Sequence, residues 1–124
     1  MTPPFLFVYG TLRRGSANRF ARLLAAHSRF LGTARIPGRL YNLGRYPGAV
    51  ASGAPREWVA GEVFRMDHPG KLLPLLDAYE GARFERVRAP VRLSSGIALE
   101  AWVYLYRGNT PGQRIISGLW PRRG

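Results

Sequence analysis

Cysteine is absent from this chain of 124 residues, which excludes disulfides, thiolate metal sites and a cysteine nucleophile. Histidine is scarce: His27 and His68 stand far apart, without metal-ligand spacing, so neither a metal nor any other cofactor is expected. Lysine is reduced to Lys71 alone, and Asp and Glu number 7 against 19 Lys and Arg. No apolar run approaches the ~18 residues of a membrane span, and the N-terminus lacks a charged region followed by a signal-type apolar segment. A soluble, cytoplasmic protein without membrane association is the expectation. Internal repeats and polar, linker-like tracts are missing too, which leaves residues 1–124 as one expected domain, long enough to close a hydrophobic core. Only Pro121 to Gly124 read as loose.

The shortage of acids leaves a net charge of +12. Such a balance raises the prospect of a polyanionic partner. The arginines, however, run from Arg13 to Arg123 with only the short pairs Arg13-Arg14 and Arg122-Arg123, not the clustered stripe that a phosphate backbone selects. A dispersed surface charge and no nucleic-acid partner are therefore expected. Arginine in place of lysine, beside many Ala, Gly and Pro, is also what a high-GC coding bias produces.

Residues 5–9, Phe-Leu-Phe-Val-Tyr, are apolar on both alternating faces, as in an interior strand covered on both sides. Ser16 or Asn18 can cap a helix over 19–30 that places Phe20, Leu23, Leu24, His27 and Phe30 or Leu31 on one face. Short strands follow around Gly32 to Ile36, Arg39 to Leu43 and Trp58 to Met66, with a turn-rich stretch from Gly44 to Pro55 in which Tyr46-Pro47-Gly48 reads as a turn that could shape the mouth of a site. Asp67 can cap a turn opened by Pro69, leading to a helix with Leu72, Leu73, Leu75, Leu76 and Tyr79; Pro74 predicts that this helix is short or kinked. Two last strands, Phe84 to Leu93 and Leu99 to Tyr106, are joined through Ser94-Ser95-Gly96. Connections this short do not accommodate successive βαβ crossovers. The pattern predicts an α+β fold with a mixed, strongly curved sheet.

Two segments carry chemistry. Tyr9-Gly10-Thr11-Leu12 ends the first strand in a glycine that can take a positive φ and leave room for a ligand, with the amides of Thr11, Leu12 and Arg13 free to converge on an anion. Leu76-Asp77-Ala78-Tyr79-Glu80-Gly81 puts Glu80 at a helix C-terminus with Gly81 as its cap, where the negative end of the helix dipole disfavours a carboxylate. Taken alone, Glu80 also fits an ordinary exposed helix-end glutamate facing an arginine, Gly10 a plain turn glycine, and Arg13 a solvated side chain. Asp77 shares the Glu80 face and is read as making a helix-end hydrogen bond or orienting Glu80. Glu62 is expected to pair with an arginine, and Tyr104 and Tyr106 to pack in the core or line a cavity.

The motifs Tyr9-Gly10-Thr11-Leu12, Tyr46-Pro47-Gly48-Ala49-Val50, Gly61-Glu62-Val63-Phe64 and Leu76-Asp77-Ala78-Tyr79-Glu80-Gly81, in that order, resemble those of the gamma-glutamylcyclotransferase-like family, in particular its gamma-glutamylamine cyclotransferase and AIG2-like members. The resemblance runs from roughly residue 5 to residue 107 and departs at Phe84, where many members have tyrosine. It implies a barrel-like sheet with a few short helices outside and a cavity opening near the Tyr9-to-Leu12 loop. It further implies a small-molecule gamma-glutamyl substrate that releases 5-oxoproline when its own α-amine attacks its γ-carbonyl. Glu80 would be the general acid and base, and Tyr9, Gly10, Thr11 and Leu12 would hold the substrate. Two other readings stand beside it: a non-catalytic ligand-binding module on the same fold, and a small basic nucleic-acid-binding domain using Phe5, Phe7 and Tyr9 as stacking residues. Nothing in the sequence fixes the leaving amine or the oligomeric state.

Overall fold

Strand β1 (Phe5–Val8) occupies the interior position that its two apolar faces call for, hydrogen-bonded on one side to β5 (Trp58–Met66) and on the other to β7 (Ala98–Tyr106). In the computed structural model, which describes residues 2–109 and 112–121, these strands join β2 (Ser28–Pro37) and β6 (Phe84–Leu93) in a closed barrel of order β1-β5-β2-β6-β7. The ladders are antiparallel except β1–β7, which is parallel, so the sheet is mixed. Strands β3 (Arg39–Asn42), β4 (Pro47–Val50) and β8 (Gln113–Ile115) form a separate 3-stranded sheet of order β4-β3-β8. The arginine pair at 122–123 and most of the tail read as loose lie outside the described residues.

Alternation along the barrel strands sorts the core into two clusters. Phe7, Val59, Val63, Ile36, Val91 and Val103 fill the barrel and meet Leu40 and Ala49 of the small sheet. Leu6, Val8, Phe64 and Met66 point the other way, under the helices α1 (Arg19–Ala26) and α2 (Pro69–Glu80). Phe7 and Tyr9 are buried, at 1% and 6% exposure, so they offer no open face on which bases could stack.

Helix α1 begins where expected: Asn18 Oδ1 accepts from the amides of Phe20 and Ala21, at 2.8 and 3.2 Å. It ends four residues earlier than its apolar spacing predicts, because residues 28–30 pair with β5. Phe30 belongs to the strand and packs edge-on against Phe64, ring centroids 5.6 Å apart. Past Ala26 only Phe30 of the expected apolar face packs inward while His27 and Leu31 are exposed, so the helical spacing there was a coincidence of one residue. Helix α2 runs twelve residues with Pro74 inside it, longer than expected. The missing Pro74 amide would have reached only the Gly70 carbonyl in the first turn, and burial of Leu72, Leu73 and Leu76 outweighs that loss. Its entry at His68 carries no side-chain cap, contrary to the role assigned to Asp67.

The turn-rich stretch contains β4, whose Pro47 is accommodated on an edge strand. Gly48 is needed there because a Cβ would lie 2.7 Å from Leu43 Cδ1 and 3.0 Å from Tyr106 Cβ.

Gly61 sets the closest approach within the barrel: a Cβ would strike the Val8 carbonyl oxygen and come within 2.7 Å of the Phe7 ring. Gly61→Ala should therefore destabilise the fold by about 1–3 kcal/mol, the usual cost of overpacking, read as a lower urea midpoint at unchanged m-value. An unshifted midpoint would contradict the β1–β5 contact described.

Candidate active site

The loop after β1 is fixed from three directions. Tyr9, on leaving the strand, turns its hydroxyl inward, donating to the Tyr104 carbonyl at 2.6 Å and accepting from the Ala49 amide at 3.1 Å. Burial pushes its phenol far above the ordinary tyrosine range, so Tyr9 is a neutral clamp whose ring walls the cavity beside it. Thr11 Oγ1 lies 3.1 Å from Tyr79 Oη, which also accepts from Asn18 Nδ2 at 2.8 Å. Tyr79 in turn stacks on Phe20, ring centroids 4.4 Å apart. Leu12 sends its side chain into the cluster beneath the helices.

Gly10 lines the cavity but does not take a positive φ; among the described glycines that conformation belongs to Gly15, Gly32, Gly44, Gly81, Gly96 and Gly118. Its lack of a side chain answers a long-range need, since a Cβ would sit 2.9 Å from Pro47 Cγ. The Arg13 amide, expected to face an anion, closes a turn onto the Gly10 carbonyl at 3.2 Å. Its guanidinium is buried rather than solvated, with Nε donating to the Gly10 carbonyl at 3.1 Å and Nη2 to the Trp120 carbonyl at 2.6 Å. The Arg14 amide donates to Glu62 Oε1 at 2.5 Å. Within the loop, the amides of Gly10, Thr11 and Leu12 remain without a hydrogen bond among the described residues.

Glu80 is the last residue of α2, and the chain turns away at Gly81 with φ 75°. Its carboxyl borders the same cavity as Tyr9, Gly10 and Thr11, a space of about 360 Å³, within the usual range of small-molecule sites. It makes no ion pair or hydrogen bond among the described residues. Burial without compensation lifts its pKa to about 7.

Asp77, three residues earlier, has the opposite environment. Arg86 grips it with Nε and Nη2 at 2.8 and 3.1 Å, and Tyr104 Oη donates to it at 2.7 Å. The Arg86 hydrogen bonds hold its pKa below the usual carboxylate value. Its carboxylate thus has no hydrogen bond to the helix end or to Glu80 among the described residues, the Gly81 amide being held by the Asp77 main-chain carbonyl at 3.0 Å; it secures Tyr104, which lines the cavity. Tyr106 packs edge-on against Phe84 at 5.7 Å instead. Tyr79, Phe84, Arg45 and Pro47 also line the site. The first two were hidden among apolar positions and Arg45 among turn residues, whereas Pro47 belongs to the turn read as shaping the mouth of a site.

The raised Glu80 pKa has a stability consequence. Between the unfolded carboxyl's ~4.3 and about 7, the folded state holds more protons than the unfolded one, so stability falls as pH rises through that window. Glu80→Gln, which cannot ionise, should be more stable than wild type at pH 8 by about 1–2 kcal/mol, after discounting for partial solvent contact. The gap should close toward pH 4.5. Urea unfolding at both pH values checks this; an equal gap at both would mean that Glu80 titrates normally.

The family model described as gamma-glutamyl cyclotransferase, AIG2-like, matches residues 6–122. The gamma-glutamylcyclotransferase family protein YtfP of Escherichia coli K12 is 35% identical over 117 residues, covering 93% of this chain and 94% of that one. Among solved structures, YkqA from Bacillus subtilis superposes with a TM-score of 0.76 at 29% identity over 94% of this chain, which spans 39% of the longer YkqA chain. An AIG2-like protein from Mus musculus shares the fold, with a TM-score of 0.72 at 24% identity, covering 90% of this chain and 82% of that one. The motifs, the mixed barrel with its two outer helices and the match over nearly the whole length agree: this chain belongs to the AIG2-like gamma-glutamyl cyclotransferase family.

Proposed function

We propose that the protein is a cyclotransferase that releases 5-oxoproline from a gamma-glutamyl amide, with Glu80 moving the proton. One observation carries the reading: a carboxyl unpaired among the described residues, with a pKa raised to about 7, borders a cavity whose other edge is a loop with amides those residues leave unused.

In this mechanism the nucleophile arrives with the substrate. The α-amine attacks the γ-carbonyl carbon, forming the ring C–N bond, and Glu80 takes the proton released from nitrogen. Collapse of the tetrahedral intermediate breaks the bond to the leaving nitrogen, and Glu80 returns the proton to it. The products are 5-oxoproline and a free amine, with atoms balanced and the enzyme unchanged. Folding the substrate so that amine and carbonyl meet supplies much of the rate, on the order of 7–11 kcal/mol for well-oriented groups.

The amides of Gly10, Thr11 and Leu12 are assigned to the substrate's anionic groups, the α-carboxylate and the developing oxyanion, where fixed donors need no reorganisation as charge builds. Tyr9 contributes its ring as a wall and Thr11 its hydroxyl. Asp77 is unsuited to the proton transfer, because Arg86 and Tyr104 stabilise its ionised form. Glu80 has the opposite balance, and a pKa near the working pH suits a group that must both accept and donate.

Glu80→Gln should lower kcat for 5-oxoproline release by about 10²–10⁴ while remaining folded. In the wild type, kcat/KM should rise with pH through about 7 as Glu80 loses its proton. Near-normal turnover by the folded variant would remove Glu80 from the mechanism.

A further inference from the structure

Charge around the cavity is unevenly placed. Glu80 is its lining carboxylate, next to the loop, and Arg45 is the lone cation among the described lining residues. Arg45 is exposed on the turn between β3 and β4, directly after Gly44 with its φ of 112°. A second guanidinium joins it from the turn between α2 and β6: Arg83 Nη1 donates to Tyr46 Oη at 3.1 Å, and Tyr46, the neighbour of Arg45, also lines the cavity. Neither guanidinium has an ion-pair partner among the described residues, while Arg39, Arg86, Arg88 and Arg114 all do.

We propose that Arg45 and Arg83 form a cationic rim that selects gamma-glutamyl substrates whose leaving amine carries a carboxylate, that is, gamma-glutamyl amino acids and peptides. Neutral leaving amines rank below them and cationic ones last. The inference rests on the cyclotransferase reading, and it names the substrate class of that same site. With the γ-carbonyl beside Glu80 and the loop amides, the glutamyl portion takes up the inner cavity, and the leaving group extends toward the exposed turns. In an α-amino acid the carboxylate is one carbon from the scissile nitrogen, within reach of a guanidinium fork that binds carboxylates through paired donors. A polyamine leaving group brings ammonium charges to the same place and is repelled.

Three substrates of matched size test this: gamma-glutamyl-alanine, gamma-glutamyl-alaninamide and gamma-glutamyl-1,4-diaminobutane. In the wild type, kcat/KM should fall in that order, with about a tenfold span, the scale of exposed charge contacts acting together, and the span should narrow as salt rises. Arg45→Gln with Arg83→Gln should flatten the ranking, and Arg45→Glu with Arg83→Glu should invert it. Ratios are compared within each variant, so a general loss of activity cancels. Equal kcat/KM for all three substrates, or a ranking that survives both double substitutions, overturns the rim. Calorimetric binding of the three compounds to Glu80→Gln separates this from the chemistry. Tightest binding of the carboxylate compound supports the rim even if no 5-oxoproline is ever released, whereas equal release from all three compounds keeps the reaction and refutes the rim.

Discussion

The hydroxyl of Tyr9 is the bond on which the site's geometry turns. One oxygen joins the end of β1 to the backbone of β7 and to the amide of Ala49 in β4, so it links the barrel to the small sheet at the cavity's inner edge. Both partners are backbone groups at a buried position, where an unmade hydrogen bond is costly. Neutrality matters as much as position. A phenolate could accept from Ala49 but could not donate to the Tyr104 carbonyl, and burial keeps the proton on.

From that anchor the remaining parts follow in sequence. Tyr9 fixes where the loop begins, the absence of a side chain at Gly10 lets Pro47 close over it, and Arg13 ties the far side of the turn to the Gly10 and Trp120 carbonyls. Opposite, α2 delivers two carboxylates three residues apart into contrasting surroundings. Asp77 is saturated by Arg86 and Tyr104, and Glu80 has no partner among the described residues. Environment thus separates the two, one held as an anion for structure and one kept able to titrate near neutrality.

What the sequence disclosed depended on range. Strands bounded by strong punctuation, Trp58–Met66 and Phe84–Leu93, were legible to the residue, as was the Gly81 turn, and the helix cap was narrowed to Ser16 or Asn18, because each is set by neighbours in the chain. Strand β4 was not, since Pro47 and Gly48 signal a turn locally and serve as strand residues only because β3 pairs with them and Tyr106 crowds the glycine. β8 is too short for alternation to register. The same division holds at the site. Order and spacing of motifs brought Tyr9, Gly10, Thr11 and Glu80 forward, but the reason for Gly10 lies in a proline distant in sequence, and the partners of Asp77 come from β6 and β7.

The arginines bear on a question that composition left to coding bias. Arg86 is held edge-on by Asp77 while its flat face lies 4.4 Å from the Trp102 ring, and Arg14 and Arg35 lie over Phe30 and Trp58 at 3.9 and 4.3 Å. Arg13 forks between two carbonyls from within the protein. Arg86 uses both the donor edge and the stackable surface of a planar group, Arg14 and Arg35 the surface and Arg13 the edge, a shape that an ammonium lacks. At these sites it is planarity that the fold uses, and their share of the positive charge comes with it as a by-product.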